Sequence, residues 1–503
     1  MPEAKTKQAR LKSVRYSETQ SRNSAVSEPA APYGGAVADA SDTLFALDEI
    51  QSLHTQTEIL PKPPPSRVPF AEIHNEKQHA RTGTFTDNLQ LPVHRWFRYS
   101  AGFSAKWVES VMLAKKTRRL FDPFAGSGTS LLAADALGVH SRGAESHPFV
   151  HRIASAKISW DFDIAALTKA ARELKTLAQN LKSIEDRSTD PLLGRIYTPQ
   201  SLDSLERLRV AHDTLRKNAI YPRQSTELLW LAITSILREC SFAGTAQCQY
   251  VLPAKTKSRE KEPFSALDAA IDQMIEDRHF CALESWQKES SVLLHDSRQP
   301  FSLDAAASSN GNGVASHLYD TVITSPPYPN NYDYADATRL EMTYWKEVAG
   351  WSELQSKVRT HLMRSCSQHT AAEHLKLDDI LSSTRLAPIH DELANVCRRL
   401  AEIRLTKGGK KTYHTMIAAY FSDLADVFHN LRRITTPDAT VCFVIGDSAP
   451  YGIHVPAEKW LGALALSAGF SDWRFEKLRD RNIKWDNRVH DVPLHEGNLW
   501  IQG

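Results

Sequence analysis

The sequence has few cysteines, and their spacing argues against several kinds of protein. The 503 residues include six cysteines, at positions 240, 248, 281, 366, 397 and 442, with no CxxC pair among them. This pattern gives neither the ligand spacing of a zinc site nor a regular disulfide framework. We therefore expect no metal site, and we expect cysteines that stay reduced in the cytoplasm.

Long hydrophobic runs and a large excess of charge of one sign are also missing. No stretch approaches the roughly 18 uninterrupted apolar residues of a membrane span, and no apolar signal core lies near residue 1. The net charge is +2, so composition alone does not indicate a nucleic-acid partner. These absences predict a cytoplasmic protein with no membrane partner, in which any nucleic-acid contact comes from local clusters of charge.

The distribution of residue types along the chain predicts a tail followed by an α/β fold. The first 68 residues contain segments such as PAAPYGG and PKPPPSR and few bulky apolar side chains. We expect a disordered tail there, with a partner-binding arm as the alternative. Farther on, strand patterns alternate with helical patterns, among them a long amphipathic helix at 412–434 followed by a buried strand at 439–447. This alternation predicts a mostly parallel sheet with large helical insertions.

A glycine-rich turn follows the first predicted strand. The stretch FDPFAGSGTS ends a short strand and opens a helix, where an α/β sheet presents backbone N–H groups to a ligand. Gly126 and Gly128 allow a tight turn and a close approach of that ligand. The missing GK[ST] sequence disfavours a P-loop, and the GxGxxG spacing of dinucleotide folds is absent.

Two acidic residues end the next predicted strands. Glu145 follows Gly128 by 17 residues (145 minus 128), where a carboxylate can accept both hydroxyls of a ribose. Asp296 ends the strand-like segment VLLHD. A single acid at a strand end is more often a helix cap or a solvated charge. Two of them in order after a glycine turn nevertheless predict an adenosine pocket.

Four segments in this order, FDPFAGSGT, GAES, HDSR and TSPPY, resemble the S-adenosylmethionine-dependent DNA amino-methyltransferases, especially their cytosine-N4 branch. The resemblance implies a Rossmann-like class I methyltransferase sheet with helices on both faces, and S-adenosyl-L-methionine as the cofactor. The upstream segment YSAGFSAKWVESVM resembles the family's segment that reaches the methionine end of the cofactor. The cofactor-binding residues that the resemblance implies are Phe103, Ser104, Asp122, Phe124, Gly126, Gly128, Glu145 and Asp296.

The segment TSPPYPNNYDY supplies the predicted catalytic residues. An exocyclic amino group is a poor nucleophile because its lone pair is delocalised into the ring, and acceptors placed on its hydrogens favour attack on a methyl sulfonium. The Ser325 hydroxyl and the Pro326 carbonyl, held by a backbone that Pro327 stiffens, are the predicted acceptors. Tyr328 is predicted to stack on a base swung out of the duplex. The candidates for lining the base pocket are Asn330, Asn331 and Tyr332.

The first residue of this motif and the cysteines predict the target atom. In the family that the chain resembles, Ser is typical of cytosine-N4 enzymes, whereas Asp or Asn is usual in adenine-N6 enzymes, so Ser325 favours cytosine N4. Carbon-5 methylation needs a cysteine nucleophile, typically after Pro, and none of the six cysteines follows a proline. The alternatives are an adenine-N6 DNA methyltransferase, an RNA amino-methyltransferase, and a non-catalytic DNA-binding subunit.

The order of the motifs divides the chain into six predicted parts. Target recognition is expected in one of two helical insertions, 161–288 or 346–411. Basic candidates for phosphate contacts are 254–261, 406–411 and 474–488. We expect double-stranded DNA as substrate, and a separate restriction endonuclease or defence protein as partner. The remaining four parts are a disordered tail (1–68), the cofactor-binding half of the core (69–160), its catalytic half (289–345) and its C-terminal part (412–503).

Overall fold

A computed structural model describes most of the chain beyond residue 85. The described residues are 86–99, 102–185, 187–188, 190–245, 251–257, 259–301, 318–408, 411–481 and 492–503. The predicted tail over 1–68 lies outside them, as do residues 258, 409–410 and 482–488 of the three basic segments.

The described strands form a seven-stranded sheet and a separate two-stranded sheet. Their bounds are β1 Arg119–Asp122, β2 His140–Glu145, β3 Ala243–Thr245, β4 Val251–Thr256, β5 Ser290–Leu294, β6 Tyr319–Thr324, β7 Thr435–Gly446, β8 Asp472–Arg481 and β9 Leu494–Gln502.

Helices of very different length connect these strands. They are α1 Ala105–Lys115, α2 Thr129–Leu137, α3 Pro148–Lys157, α4 Ile164–Asn180, α5 Pro191–Ile196, α6 Pro199–Asn218, α7 Arg223–Ile236, α8 Pro263–Leu283, α9 Tyr334–Ala337, α10 Arg339–Tyr344, α11 Leu354–Lys357, α12 Ser367–Ala372, α13 Leu377–Leu381, α14 His390–Thr406, α15 Tyr413–Ile434 and α16 Ala457–Ser467. Within the part of the chain that the structure describes, no helix has the length and apolar character needed to cross a membrane.

The large sheet has the strand order β5-β2-β1-β6-β7-β9-β8. The first five strands in this order pair in parallel, whereas β9 is antiparallel to both β7 and β8. The predicted mostly parallel sheet is therefore confirmed. Its strand order reverses between β1 and β6, because the chain leaves β1 for β2 on one side and later returns to pair β6 on the other.

Helices cover both faces of this sheet. Leu120 and Ile323 are buried against residues of α1 and α2, whereas the alternating neighbours Phe121 and Val322 belong to a core that includes α15 and α16. Successive side chains of a strand point to opposite faces, so this division shows that each face has its own hydrophobic cover. The predicted helix at 412–434 is observed as α15, which is buried along most of its length.

The segment between β2 and β5 is mainly helical. Helices α4 to α8 fill it together with the β3–β4 hairpin, and α7 carries the fully buried Trp230. Their apolar side chains join one core with residues of α2 and α3 beside the sheet. The helical pattern predicted for this segment is therefore present, and it packs on the strand side where β5 and β2 lie.

The last two strands differ from the sequence prediction. The charge pattern places RFEKLRDR in a basic surface segment, but this stretch belongs to β8, and the sequence patterns do not predict β9 at all. β8 is the edge strand of the sheet, and exposed charged side chains are usual at sheet edges because they prevent further pairing. The same charges make an edge strand look like a solvated surface segment in the sequence.

Candidate active site

The reversal of strand order between β1 and β6 brings two distant motifs together. In a parallel α/β sheet, ligands bind in the crevice outside the carboxyl ends of the strands at this point. Here the end of β1 leads into the glycine turn and the end of β6 leads into TSPPY. The Thr324 hydroxyl donates a hydrogen bond of 2.6 Å to Asp122 Oδ1, across 202 residues of sequence. The two motifs are therefore neighbours.

The buried Asp122 carboxylate stabilises the contact between the glycine turn and the TSPPY segment. It is fully buried and also accepts hydrogen bonds from the Phe124 N–H (2.9 Å) and from the Ser130 hydroxyl. Burial raises its pKa to about 6, although these hydrogen bonds act in the opposite direction. Asp122 therefore holds the shape of the glycine turn.

The glycine turn adopts a backbone conformation that side chains disfavour. Gly126 has φ of 52° and Gly128 has φ of 87°, both in the left-handed region. A Cβ atom on Gly126 would lie 3.3 Å from the ring of Tyr99. Gly128 directly precedes α2, so the first N–H groups of that helix face the crevice beyond β1.

Glu145 lies at the end of β2, beside the glycine turn. Its Oε2 accepts a hydrogen bond from Gly126 N (2.9 Å), and its Oε1 accepts one from His147 N (2.7 Å). Burial raises its pKa to about 7, against the effect of these two hydrogen bonds. A carboxylate has about four lone-pair sites, so Glu145 can still accept from a hydroxyl donor of a ligand.

Asp296 lies just beyond β5, and its carboxylate is engaged by a neighbour. Arg298 donates to both oxygens, with a shortest separation of 2.6 Å, and also lies 3.4 Å from the fully buried Asp423 of α15. The Asp296 side chain is 25% exposed. The carboxylate is therefore partly exposed, and a ligand that contacts it would share it with Arg298.

The segment before α1 is fixed by buried contacts. Asn88 Nδ2 donates to Phe103 O, and Asn88 Oδ1 accepts from Ala105 N, both at 2.9 Å. The Phe103 ring is buried in the core between α1 and the sheet. The Ser104 hydroxyl caps α1 by accepting from Trp107 N at 3.4 Å. The side chains of both predicted cofactor residues are therefore engaged within the protein, Phe103 in the core and Ser104 at the start of α1.

Ser325 and the two prolines leave the sheet beside β7. The Ser325 hydroxyl donates to Val444 O at 3.2 Å, which uses its single proton. The oxygen of that hydroxyl keeps lone pairs that can accept hydrogen bonds. Pro326 is buried and Pro327 is partly exposed. Because proline fixes φ and has no N–H, this backbone is stiff.

Tyr328 lies against the carboxyl ends of β7 and β8. The Arg481 guanidinium lies 5.5 Å from the centre of its ring, within cation–π range. A Cβ atom on Gly446 would be 3.2 Å from Tyr328 Cε2 and 2.5 Å from Arg481 Nη1, so glycine allows this approach. Burial raises the pKa of the Tyr328 phenol well above its usual value, so the side chain is neutral.

The residues predicted to line the base pocket differ in their contacts. Asn331 has φ of 66°, and its Oδ1 accepts from Ser367 N at 2.8 Å. Asn330 Oδ1 accepts from Tyr332 N at 3.3 Å, and the Tyr332 ring meets Tyr334 edge to face at 4.5 Å. Asn331 therefore ties the loop to the start of α12, whereas Asn330 and Tyr332 shape the loop itself.

A buried ion pair holds the end of the same loop. Asp333 caps α9 and accepts three hydrogen bonds from Arg359, the shortest at 2.6 Å. Burial alone would raise the pKa of Asp333, but the contacts with His369 and Arg359 outweigh it and hold the pKa well below its usual range. The closer partner is Arg359, since His369 Nε2 is 3.8 Å from the carboxylate. The insertion after β6 thereby supports the TSPPY loop.

The predicted basic segments are partly paired with carboxylates. Lys261 lies 2.8 Å from Glu239. In β8, Arg479 Nη2 lies 2.9 Å from Glu496, and Lys477 pairs with Asp480. These cations therefore have protein partners with which DNA phosphates would compete.

Three residues near the site are not predicted from the sequence. Tyr99 contacts Gly126, Arg298 pairs with Asp296, and Arg481 contacts Tyr328. Tyr99 lies in the segment YSAGFS, close to two predicted cofactor residues, and Arg298 lies in HDSR. Arg481 lies in the basic segment 474–488, but its contact with Tyr328 had no sequence signal, because it is 153 residues past Tyr328 (481 minus 328) and approaches it only through β8.

The sheet order and the crevice with its glycine turn define a Rossmann-like methyltransferase fold. The methyl donor of this fold is S-adenosyl-L-methionine, and the remaining lone pairs of the partly buried Glu145 suit its ribose hydroxyls. No model of a known protein family matches the sequence.

The relatives found by sequence are Type II methyltransferases. The chain is 25% identical over 433 residues to Type II methyltransferase M.BsoBI of Geobacillus stearothermophilus, which covers 79% of this chain and 82% of that protein. It is also 25% identical over 408 residues to Type II methyltransferase M.AvaI of Nostoc sp., covering 77% and 81% of the two chains. The similarity therefore extends over most of both proteins.

Among solved structures, the chain is distantly similar to the rRNA methyltransferase aviRa from Streptomyces viridochromogenes. The two are 9% identical, and the match covers 80% of this chain and 85% of that chain. The TM-score of this match is 0.28.

Proposed function

We propose that this protein is a site-specific DNA methyltransferase that transfers a methyl group from S-adenosyl-L-methionine to the N4 amino group of cytosine. The observation that carries the proposal is the hydrogen bond between Thr324 and Asp122, which makes the TSPPY segment a direct neighbour of the glycine turn. The similarity to two Type II methyltransferases supports it. The proposed setting is restriction-modification or phage defence.

The cofactor is proposed to lie in the crevice beyond β1 and β2. S-adenosyl-L-methionine supplies an electrophilic methyl group there. Glu145 is proposed to accept its ribose hydroxyls, and the backbone at Gly126 and Gly128 to let it approach closely. The partly exposed Asp296 is proposed to contact the adenine, while Arg298 orients its carboxylate. Phe103, Ser104, Asp122 and Phe124 complete the set by fixing the crevice wall.

Ser325 and Pro326 are proposed to be the acceptors for the target amino group. Because the Ser325 proton is donated to Val444 O, the oxygen can only accept from an incoming amino hydrogen. The Pro326 carbonyl is the second acceptor, aimed by the rigid Ser-Pro-Pro backbone. Two acceptors favour a tetrahedral nitrogen whose lone pair is free to attack. No side chain has to remove a proton before the attack.

Tyr328 is proposed to stack on the target base after the base has left the duplex. The phenol is neutral and its ring is held by Arg481, so little side-chain freedom is lost when a base binds. Base flipping is required because the amino group is not accessible to an enzyme within stacked DNA. Asn330, Asn331 and Tyr332 are proposed to shape the rest of this pocket.

Cytosine N4 is favoured over adenine N6 by Ser325 in the first position of the motif, as the resemblance implies. The competing proposals are methylation of an RNA amino group and a non-catalytic DNA-binding role. Double-stranded DNA is the proposed substrate, with a separate restriction endonuclease or defence protein as partner and the cytoplasm as the location.

The product can be identified by mass spectrometry of nucleosides. The protein and S-adenosyl-L-methionine would be incubated in parallel with duplex DNA, single-stranded DNA and RNA, and each polymer would then be digested. We expect N4-methylcytosine, formed mainly in duplex DNA. N6-methyladenine as the sole product would overturn the cytosine assignment, and methylation of RNA alone would overturn the DNA substrate. Cofactor binding without any product would support the non-catalytic role.

A further inference from the structure

Side chains typical of metal ligands meet beside Tyr328, in a place that the proposed reaction does not use. Asp447 directly follows β7, Glu458 lies in the first turn of α16, and His495 is in β9. One donor atom from each of the three lies within 4.8 Å of the other two. The Asp447 side chain is fully buried, and the other two are largely buried, at 19% and 24% exposure.

The His495 ring lies between the two carboxylates, with one nitrogen near each. His495 Nδ1 lies 3.4 Å from Asp447 Oδ2, and His495 Nε2 lies 3.6 Å from Glu458 Oε1. Zinc bonds to nitrogen and oxygen of about 2.0 to 2.2 Å place the ligand atoms of a tetrahedron about 3.3 to 3.6 Å apart. One ion can bind only one nitrogen of His495, and the donor atoms, one from each side chain, lie within 4.8 Å of one another. Rotations of these side chains would bring the donor atoms to the spacing found around a metal.

The carboxylate of Asp447 is also held from outside this group. His454 Nε2 lies 2.8 Å from Asp447 Oδ2, and His495 N donates to Asp447 Oδ1 at 2.8 Å. Outer contacts of this kind orient metal-binding side chains and raise metal affinity. The side chains come from the end of β7, the loop after it, α16 and β9, so one ion would join segments that are distant in the sequence.

We propose that Asp447, Glu458 and His495 bind a divalent transition-metal ion, with His454 orienting the Asp447 carboxylate. Two carboxylates and a neutral imidazole match the charge of such an ion and the donor types that Zn²⁺ accepts. Three protein ligands leave at least one position for water. This inference does not depend on the proposed DNA substrate or on cytosine as the target.

The site lies where a metal would stabilise the floor of the base pocket. The main-chain oxygen of Asp447 accepts a hydrogen bond of 2.8 Å from Arg481 Nη1, and Arg481 contacts the Tyr328 ring. A metal on Asp447 would join the ends of β7 and β9 to α16. It would thereby hold Arg481, and through it Tyr328, in one arrangement.

Metal binding by the full-length protein can be measured with Zn²⁺ and Co²⁺ as probes. After treatment with a chelator and gel filtration, Zn²⁺ would be titrated by calorimetry and Co²⁺ by visible absorption. We expect one equivalent of either ion, with d–d bands for Co²⁺ that show nitrogen and oxygen ligands. Glu458→Gln and His495→Gln should abolish this binding, and His454→Gln should weaken it by about 10- to 100-fold.

A matched control distinguishes a specific site from general histidine binding. His390 and Asp391 form an exposed pair at 2.9 Å, so His390→Gln removes a similar contact elsewhere and should leave metal binding unchanged. Circular dichroism and thermal unfolding of each variant without metal would identify variants that fail to fold. If the folded wild-type protein takes up no stoichiometric Zn²⁺ or Co²⁺, or if the ligand variants bind as well as wild type, the proposal is wrong.

Discussion

Single side chains decide the chemistry proposed for this protein, and Ser325 carries the clearest expectation. Ser325→Ala removes one acceptor for the amino group, so methyl transfer should fall by about 10²- to 10³-fold. The affinity for S-adenosyl-L-methionine should stay within about twofold, since the residue follows β6 and the proposed cofactor crevice lies beyond β1 and β2. Radiolabel transfer to DNA and calorimetric cofactor titration measure the two effects separately.

A suitable control for Ser325 is Ser471, which directly precedes β8. Its hydroxyl also donates to main-chain oxygens, those of Gln502 and Gly503, but it is exposed and lies at the amino end of that strand. Ser471→Ala should keep full activity. Equal activity of wild type and Ser325→Ala would contradict the proposed acceptor role.

Glu145 should make cofactor binding depend on pH near neutrality. Burial raises its pKa to about 7, so a large fraction of this carboxyl is protonated at neutral pH. The ionised form is the better acceptor for two hydroxyls, and we expect cofactor affinity to rise from about pH 6 to about pH 8. Glu145→Gln should bind at least about tenfold more weakly at the higher pH and lose the dependence. Titration calorimetry at several pH values measures this.

The same carboxyl should lower the free energy of unfolding as pH rises. Its pKa in the folded protein, about 7, lies above the ordinary value of 4.5, so unfolding releases a proton between these values. Stability contributed by the protonated group is present below about pH 4.5 and is lost toward pH 7. Between about pH 4.5 and pH 7, the free energy of unfolding of the wild type should fall by roughly 2 kcal/mol more than that of Glu145→Gln. Urea denaturation at several pH values measures this difference. A larger loss in the variant would contradict the raised pKa.

The contact between β2 and the glycine turn is the element on which the cofactor crevice depends. Gly143 in β2 has no room for a side chain, since a Cβ atom would lie 2.7 Å from Ala125 Cβ and 3.1 Å from Leu131 Cδ1. Gly143→Ala should therefore push the turn away from β2, destabilise the protein by about 1 to 3 kcal/mol and weaken cofactor binding. Chemical denaturation and calorimetry measure the two effects.

Gly194 in α5 offers the matched comparison for Gly143. Apart from its chain neighbours and the backbone of its own helix, no described atom lies within 4 Å of the position of its Cβ. Gly194→Ala should raise the stability by about 0.5 to 1 kcal/mol, because alanine restricts the unfolded chain and favours helix. If both substitutions changed the free energy of unfolding equally, small shifts of the residues around Gly143 would have to relieve the crowding there.

Helices and strands of the core were predicted well where their apolar side chains recur regularly, either on one face of a helix or on both faces of a buried strand. Helix α15 and strand β7 gave clear apolar patterns, and both were found within a few residues of the predicted positions. The pattern failed for β8, because an edge strand is half exposed and carries many charges. It failed for β9 because a run such as LHEGNLWIQ mixes polar and apolar residues, and its neighbour β7 in the sheet is distant in the sequence.

We expect the whole molecule to fold only when strand β9 is present in the large sheet. Strand β9 lies between β7 and β8, so it forms two ladders and anchors the edge. A chain ending before residue 494 would expose one side of β7 and leave β8 without a partner. We expect loss of cooperative thermal unfolding and of soluble protein, as measured by circular dichroism and gel filtration. Cooperative unfolding of the truncated chain near the wild-type temperature would contradict this.

The sequence by itself determined the motifs and their order. Gly126, Gly128, Glu145 and Ser325 stand in short local patterns whose backbone and chemical requirements are visible without coordinates, because turns and strand ends depend on neighbouring residues. The mostly parallel sheet followed from alternating strand and helix patterns.

The tertiary structure alone decided which distant residues meet. Strand pairing placed Thr324 on Asp122, Arg481 on Tyr328, and His495 beside Asp447 and Glu458. It also brought Asp423 of α15 within 3.4 Å of Arg298, the residue that pairs with Asp296. The reason is physical: such contacts depend on strand order and register, which are set by the packing of the entire core and not by the residues that finally touch.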